Sequence, residues 1–151
     1  MAGQVTGNQR QERLSVLARA SGSELAELWQ RLGIDPACEI VRGPETGLVA
    51  LRGRIGGGGA PFNFGEATVT RATVRLENGA VGHSVALGRD RRKAKLIAIL
   101  DALSQDPAMA VRVDTEIVQP LLESLVARDE KRRAETAATR VDFFTMVRGE
   151  D

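Results

Sequence analysis

Asn78-Gly79 separates two runs rich in β-branched residues, "EATVTRATVRL" and "AVGHSVALG". Asn and Gly tolerate the positive φ that a tight reversal needs, and the flanking runs alternate, so this dipeptide is the strongest hairpin signal in the chain. It predicts strands over residues 67–76 and 80–87. No helix-length crossover separates the neighbouring β-rich runs, so the sheet is antiparallel. Upstream, "CEIVRGPETGLVALRGRI" alternates around the turn residues "GPETG". It predicts two further short strands, 38–42 and 48–55, for a sheet of about four strands. Val49, Leu51 and Ile55 share one face of the second, and Arg52 and Arg54 share the other.

Helical patterns flank this sheet. Leu14, Val16, Leu17 and Ala20 mark the apolar side of a helix over residues 9–20. Ser21 with Glu24 three residues later fits a capping box, and Gly33 is a natural stop. Between them Leu25, Leu28, Trp29 and Leu32 recur at helical spacing, which makes Trp29 a core or interface residue. Asp90 is a candidate N-cap for a third helix, with Leu96, Ile97, Leu100 and Leu103 as its stripe. A last helix covers residues 115–138, buries Ile117, Val118, Leu121, Leu122, Leu125 and Val126, and is kinked or restarted at Pro120. The order is helices, antiparallel sheet, helices: a single α+β domain. Residues 1–8 read as a disordered start, 9–139 as the domain, and 140–151 as a hydrophobic interaction tail of that domain.

Composition narrows the functional classes. A length of 151 residues with 42% hydrophobic residues supports one domain with a real core, built from aliphatic side chains because aromatics are 3%. The formal charge of +1 does not point to nucleic acid or an anionic membrane as a partner. A single cysteine, Cys38, excludes an intrachain disulfide and a multi-cysteine zinc site, and reads as a small buried hydrophobe. No signal-peptide core and no window of ~20 apolar residues is present, so the simplest reading is a soluble cytoplasmic protein.

Four features carry candidate chemistry. "GGGG" (56–59) lacks the residues of a phosphate-binding loop and reads as a connector. Phe62 and Phe64 follow it, as a partner surface or tucked under the sheet. "GRDRRK" crowds Arg89, Arg91, Arg92 and Lys93 at a helix start, where cations are disfavoured unless an anion offsets them. Arg89 and Asp90 are therefore anion-site candidates, with long side chains swinging into solvent as the bland alternative. Arg71 is flanked by small residues and either binds an anion, pairs with Glu66 or Glu45, or faces solvent. His83, the lone histidine, alternates with Val81 and Val85. It is an anion candidate, but a structural histidine is the commoner outcome and no metal site is expected. No nucleophile–base set or carboxylate pair can be placed. The tail, "RVDFFTMVRGED", holds two of the four phenylalanines. Val141, Phe143, Phe144, Met146, Val147 and Arg148 are partner-interface candidates, as a strand added to a partner's sheet or a helix in a groove.

"GEATVTRATVRL", "GRDRRKAKLIAILDAL" and "RVDFFTMVRG" together resemble the PhnG family, the small subunit of the bacterial carbon–phosphorus lyase system. The resemblance runs from the early helices through "ETGLVALRGRIGGGG" to the tail, and the first dozen residues carry none of it. It implies a subunit of a core complex with three other kinds of subunit, used in organic phosphonate catabolism. With an accessory ATP-binding protein, the complex displaces adenine from ATP by a phosphonate and forms a ribose 1-phosphonate 5-triphosphate. The resemblance makes ATP a substrate of the complex, not a cofactor of this chain alone, and attributes the chemistry to a larger subunit. Two alternatives stay open: a subunit that lends Arg71, Arg89 or Asp90 to the active site, and a free-standing phosphate- or nucleotide-binding protein. Self-association of the isolated chain is expected from its apolar surfaces.

Overall fold

The computed structural model describes residues 7–139 apart from Gly57. Helices α1 (Gly7–Arg19) and α2 (Gly22–Leu32) lead into strands β1 (Cys38–Gly53), β2 (Phe62–Leu76) and β3 (Val81–Leu87). Helix α3 (Arg91–Leu103) follows, then α4 (Pro107–Val113), a π-helical turn (Asp114–Val118) and α5 (Gln119–Ala138). The strands form one antiparallel sheet in the order β1-β2-β3. The fold is α+β, with three strands among the described residues instead of about four.

The missing strand has a local cause. "GPETG" does not reverse the chain. Arg42 pairs with Thr73 and Glu45 with Arg71, so three steps on β1 answer two on β2 and the surplus is taken up as a bulge. Gly43 supplies the positive φ, +69°, and Pro44 is tolerated because β1 is an edge strand with no outer ladder to donate to. The two expected short strands are thus one bulged strand of 16 residues. Phe62 and Phe64 lie within β2, where Phe62 pairs with Gly53 at the far end of β1 and Phe64 falls at an irregularity of the ladder.

Caps behave as the side chains dictate. Ser21 Oγ accepts from Glu24 N–H at 3.2 Å, and Gly33 closes α2 at φ +67°. Asp90 Oδ1 accepts from Lys93 N–H at 2.9 Å at the start of α3. The hairpin turns through Gly79 at φ +86°, with Asn78 Oδ1 accepting from Ala80 N–H. Pro120 lacks the N–H a regular helix needs, and its ring opposes the carbonyl four residues back. The chain widens there: Gln119 N–H reaches Asp114 O, five residues back, and the helical run continues from Pro107 to Ala138.

Two cores meet at α3. Leu17, Leu25, Ile97, Leu100, Val113, Ile117 and Leu121 fill the space among the helices. Ala94, Ala98, Ile99 and Ala102 face Ala72, Val74 and Leu76 of the sheet. Trp29 packs against both. Cys38 is a free thiol, half-buried beside the second core instead of fully inside it. The small residues on α3 allow close approach, and Gly82 completes it: a β-carbon there would overlap the Ala98 carbonyl oxygen and lie 2.9 Å from Ala102 Cβ.

Polar ties lock α1 onto this frame. Arg10 grips Asp101 through two bonds of 2.7 and 2.8 Å, and Arg13 grips Asp114 through two of 2.7 Å. No helix among the described residues is long and apolar enough to cross a membrane.

Candidate functional site

The sheet has one covered face and one open one. On β3, Gly82, Ser84 and Ala86 turn inward to the helices, while His83, Val85 and Leu87 are exposed. On β2, Thr70, Ala72, Val74 and Leu76 turn inward, and Arg71, Thr73 and Arg75 share the open face. Strand alternation alone separates these sets.

Arg71 and His83 therefore lie on the open face. Arg71 Nε donates to Glu45 Oε1 at 2.6 Å, and Arg42 Nε donates to the same oxygen at 2.8 Å. Arg71 first and Arg42 second hold the Glu45 carboxyl below its ordinary value of 4.5. Of the pairings the sequence left open for Arg71, the Glu45 one is present. His83 Nδ1 lies 3.1 Å from Thr73 Oγ1, on the paired residue of β2. Arg89 and Asp90 sit elsewhere, between β3 and α3, and the Asp90 carboxylate is engaged as the α3 cap. Arg71 and His83 thus share the open face of the sheet, while Arg89 and Asp90 lie at the turn from β3 into α3.

Two concavities border the start of α3. A groove of about 700 Å³ runs between α2 and α3, lined by Trp29, Asp35, Asp90, Arg92, Lys93 and Lys95 among others. Lys93 is a residue the sequence reading left as one of a crowd. Its backbone caps onto Asp90 while Nζ donates to Ala18 O at 2.7 Å, and burial pushes its pKa below 10.5, with Asp90 partly opposing. A lysine three residues after an N-cap gives no sequence signal that it turns back under α1. The second concavity, about 470 Å³, is lined by Thr46, Gly47, Leu48, Thr68, Arg89 and Arg91. Among the described residues neither arginine makes an ion pair.

Beside that second hollow the sheet narrows to an arm. β2 pairs with β1 over its whole length, but β3 accompanies it only from Val69 to Arg75. Beyond Thr68 a two-stranded ribbon continues alone. Leu48 is 64% exposed, Phe64 59% and Phe62 42%. The two phenylalanine rings pack edge to face, 6.2 Å apart, and Phe64 lies over Gly53. Both rings are exposed on the arm and are not tucked under the sheet. Val141, Phe143, Phe144, Met146, Val147 and Arg148 lie outside the described residues. Among the described residues no three His, Cys, Asp or Glu side chains gather as metal ligands.

Known proteins extend this picture. Residues 8–149 match the family described as "Phosphonate metabolism protein PhnG". Over 143 residues the chain is 54% identical to the alpha-D-ribose 1-methylphosphonate 5-triphosphate synthase subunit PhnG of Rhizobium meliloti (strain 1021), covering 95% of this chain and 91% of the relative. A match of that length and identity takes in the helices, the bulged sheet and the arm alike, and the chain belongs to the PhnG family of phosphonate metabolism proteins.

Proposed function

We propose that this chain is a subunit of an α-D-ribose 1-methylphosphonate 5-triphosphate synthase, within the carbon–phosphorus lyase pathway of phosphonate catabolism. It supports transfer of the ribose 5-triphosphate of ATP to a phosphonate, with release of adenine. The observation that carries the reading is the 54% identity over 95% of the chain to a subunit of that name. The role is assembly: the chain's partners are the other subunits of the complex, and a larger subunit holds the reacting atoms. The exposed arm, with Leu48, Phe62 and Phe64, supports a docking role, and the division of Arg71 and His83 from Arg89 and Asp90 disfavours a catalytic centre built from them.

The test is reconstitution. Adenine release from ATP and methylphosphonate is expected with the full set of subunits and lost when this chain is left out. Unchanged turnover without it would sink the reading. Calorimetric titration of the lone chain with ATP is expected to show no binding, which separates it from a free-standing nucleotide-binding protein.

A second reading rests on Arg89. It borders the 470 Å³ hollow without an ion pair among the described residues, as a residue lent to a nucleotide phosphate would. In an assembled complex Arg89→Ala would then lower turnover with subunit composition unchanged. If Arg89 serves docking, the same change weakens assembly.

A further inference from the structure

The arm leaves more uncovered than one docking face would explain. Residues 49–53 of β1 and 62–67 of β2 pair only with each other among the described residues. Both outer edges of this ribbon are open among the described residues, and apolar side chains point from both faces: Leu48 from the side of the helical layer, Val49 and Leu51 from the other. An isolated two-stranded ribbon is marginal in water. Here the underside is also a notch. Where α3 begins at Arg91, the base of the arm borders an open hollow of about 470 Å³ lined by Leu48, Thr68, Arg89 and Arg91 among others.

The charges in the notch are one-sided. Leu48 lines it, and strand alternation puts Ala50 and Arg52 on the same face of the arm further out, with Glu66 opposite Ala50. Arg89 and Arg91 are the charged residues among those lining the hollow, while Asp90 between them lines the groove on the α2 side. The geometry points to the notch as the seat of an element from an unlike subunit of the complex, carrying carboxylates beside aliphatic side chains. The aliphatic residues cover Leu48 and Ala50, and the carboxylates meet Arg89 and Arg91. A second copy fits worse: a two-fold contact sets the same patch against itself, arginine against arginine. This inference rests on the reading of the chain as a complex subunit.

The experiment is co-purification of the remaining synthase subunits with tagged full-length variants, next to thermal unfolding of each lone chain. Leu48→Glu is expected to weaken co-assembly by about tenfold or more. Because Leu48 is already in water, the lone chain's melting temperature stays within about 2 °C. The exposed double change Arg89→Glu with Arg91→Glu supplies an independent reading if Leu48→Glu harms folding. It is expected to weaken assembly and to flatten the loss of wild-type assembly as salt rises from 50 to about 500 mM. Wild-type assembly by both variants overturns the proposal. A lone chain that is a dimer, and that Leu48→Glu turns into a monomer, also overturns it by identifying a second copy as the occupant. If the unaltered chain brings down no synthase subunit, the subunit reading falls, and the notch assignment with it. Assembly of the wild type with intact variants, in contrast, sinks only the notch.

Discussion

Arg10 and Asp101, 91 residues apart in sequence, meet in a two-bond fork whose carboxylate is only 2% exposed. Asp101 also accepts from the backbone N–H of His83 at 2.9 Å, so one buried side chain on α3 ties down α1 and β3 together. The fork raises the Arg10 pKa, chiefly through the hydrogen bond to Asp101, with burial opposing. Arg10→Ala leaves a buried carboxylate with one backbone donor. It is expected to destabilise by about 1–3 kcal/mol, read as a lower urea midpoint at unchanged slope. In a cycle with Asp101→Ala, the double variant should lose less than the two single losses summed.

Gly82→Ala is expected to cost about 1–3 kcal/mol, because the added carbon meets the α3 backbone and two well-packed layers must part to admit it. Gly47→Ala is the control. Nothing lies within 4 Å of that site, and stability should stay within about 0.5 kcal/mol. Chemical denaturation of both variants decides the point.

Glu24 links α2 to α5: Ser124 Oγ donates to it at 2.6 Å and Ser21 Oγ at 2.9 Å, with Arg128 at 3.4 Å. These partners, Ser124 first, lower its pKa below 4.5. A depressed carboxyl pKa contributes stability that is complete above the unfolded value, 4.5, and is lost as pH falls through the folded one. Glu24 is more than a third exposed, so the contribution is small, at most about 0.5 kcal/mol. Thermal scans from pH 6 to about 3 should show a shallower acid loss for Glu24→Gln than for the wild type.

Local signals were readable where one residue does one job. Ser21, Gly33, Asn78-Gly79 and Asp90 each cap or turn the chain where the sequence places them. The resemblance carried by the strand, α3 and tail motifs agrees with the family that the comparisons show. The reading failed where tertiary context decides. Gly43-Pro44 has turn chemistry, yet an edge strand absorbs it as a bulge, and whether a strand is an edge is not a local property. Phe62 and Phe64 follow a run of glycines that carries no strand signal, and the Gly53 that pairs with Phe62 is not marked as its partner by any local feature. The run from Pro107 was missed because the π-helical turn ahead of Pro120 breaks helical spacing without ending the helix. As for the candidate site, alternation put Arg71 and His83 on one face. Their distance from Arg89 depends on Gly88, where φ of +94° turns the chain out of β3 toward α3.

Deleting residues 140–151 is expected to leave the melting temperature of the lone chain within about 2 °C and to prevent its entry into the complex, as interface anchors would. Phe143→Ala with Phe144→Ala should reproduce both results. A fall of many degrees in the lone chain would place the tail on its own domain. Differential scanning fluorimetry beside a pull-down reads both.

Helix α3 is the wall shared by both cores, so neither layer keeps a packed surface once it leaves. Amide hydrogen exchange should show this as a two-tier map. The slowest amides gather on α3 and the β2 and β3 residues beneath it, opening only when the whole domain unfolds. The ribbon amides at 49–53 and 62–67 exchange orders of magnitude sooner, since opening them disturbs neither core. The body and the arm are then separate cooperative units on one chain, and assembly would be registered as the arm's exchange slowing toward that of α3.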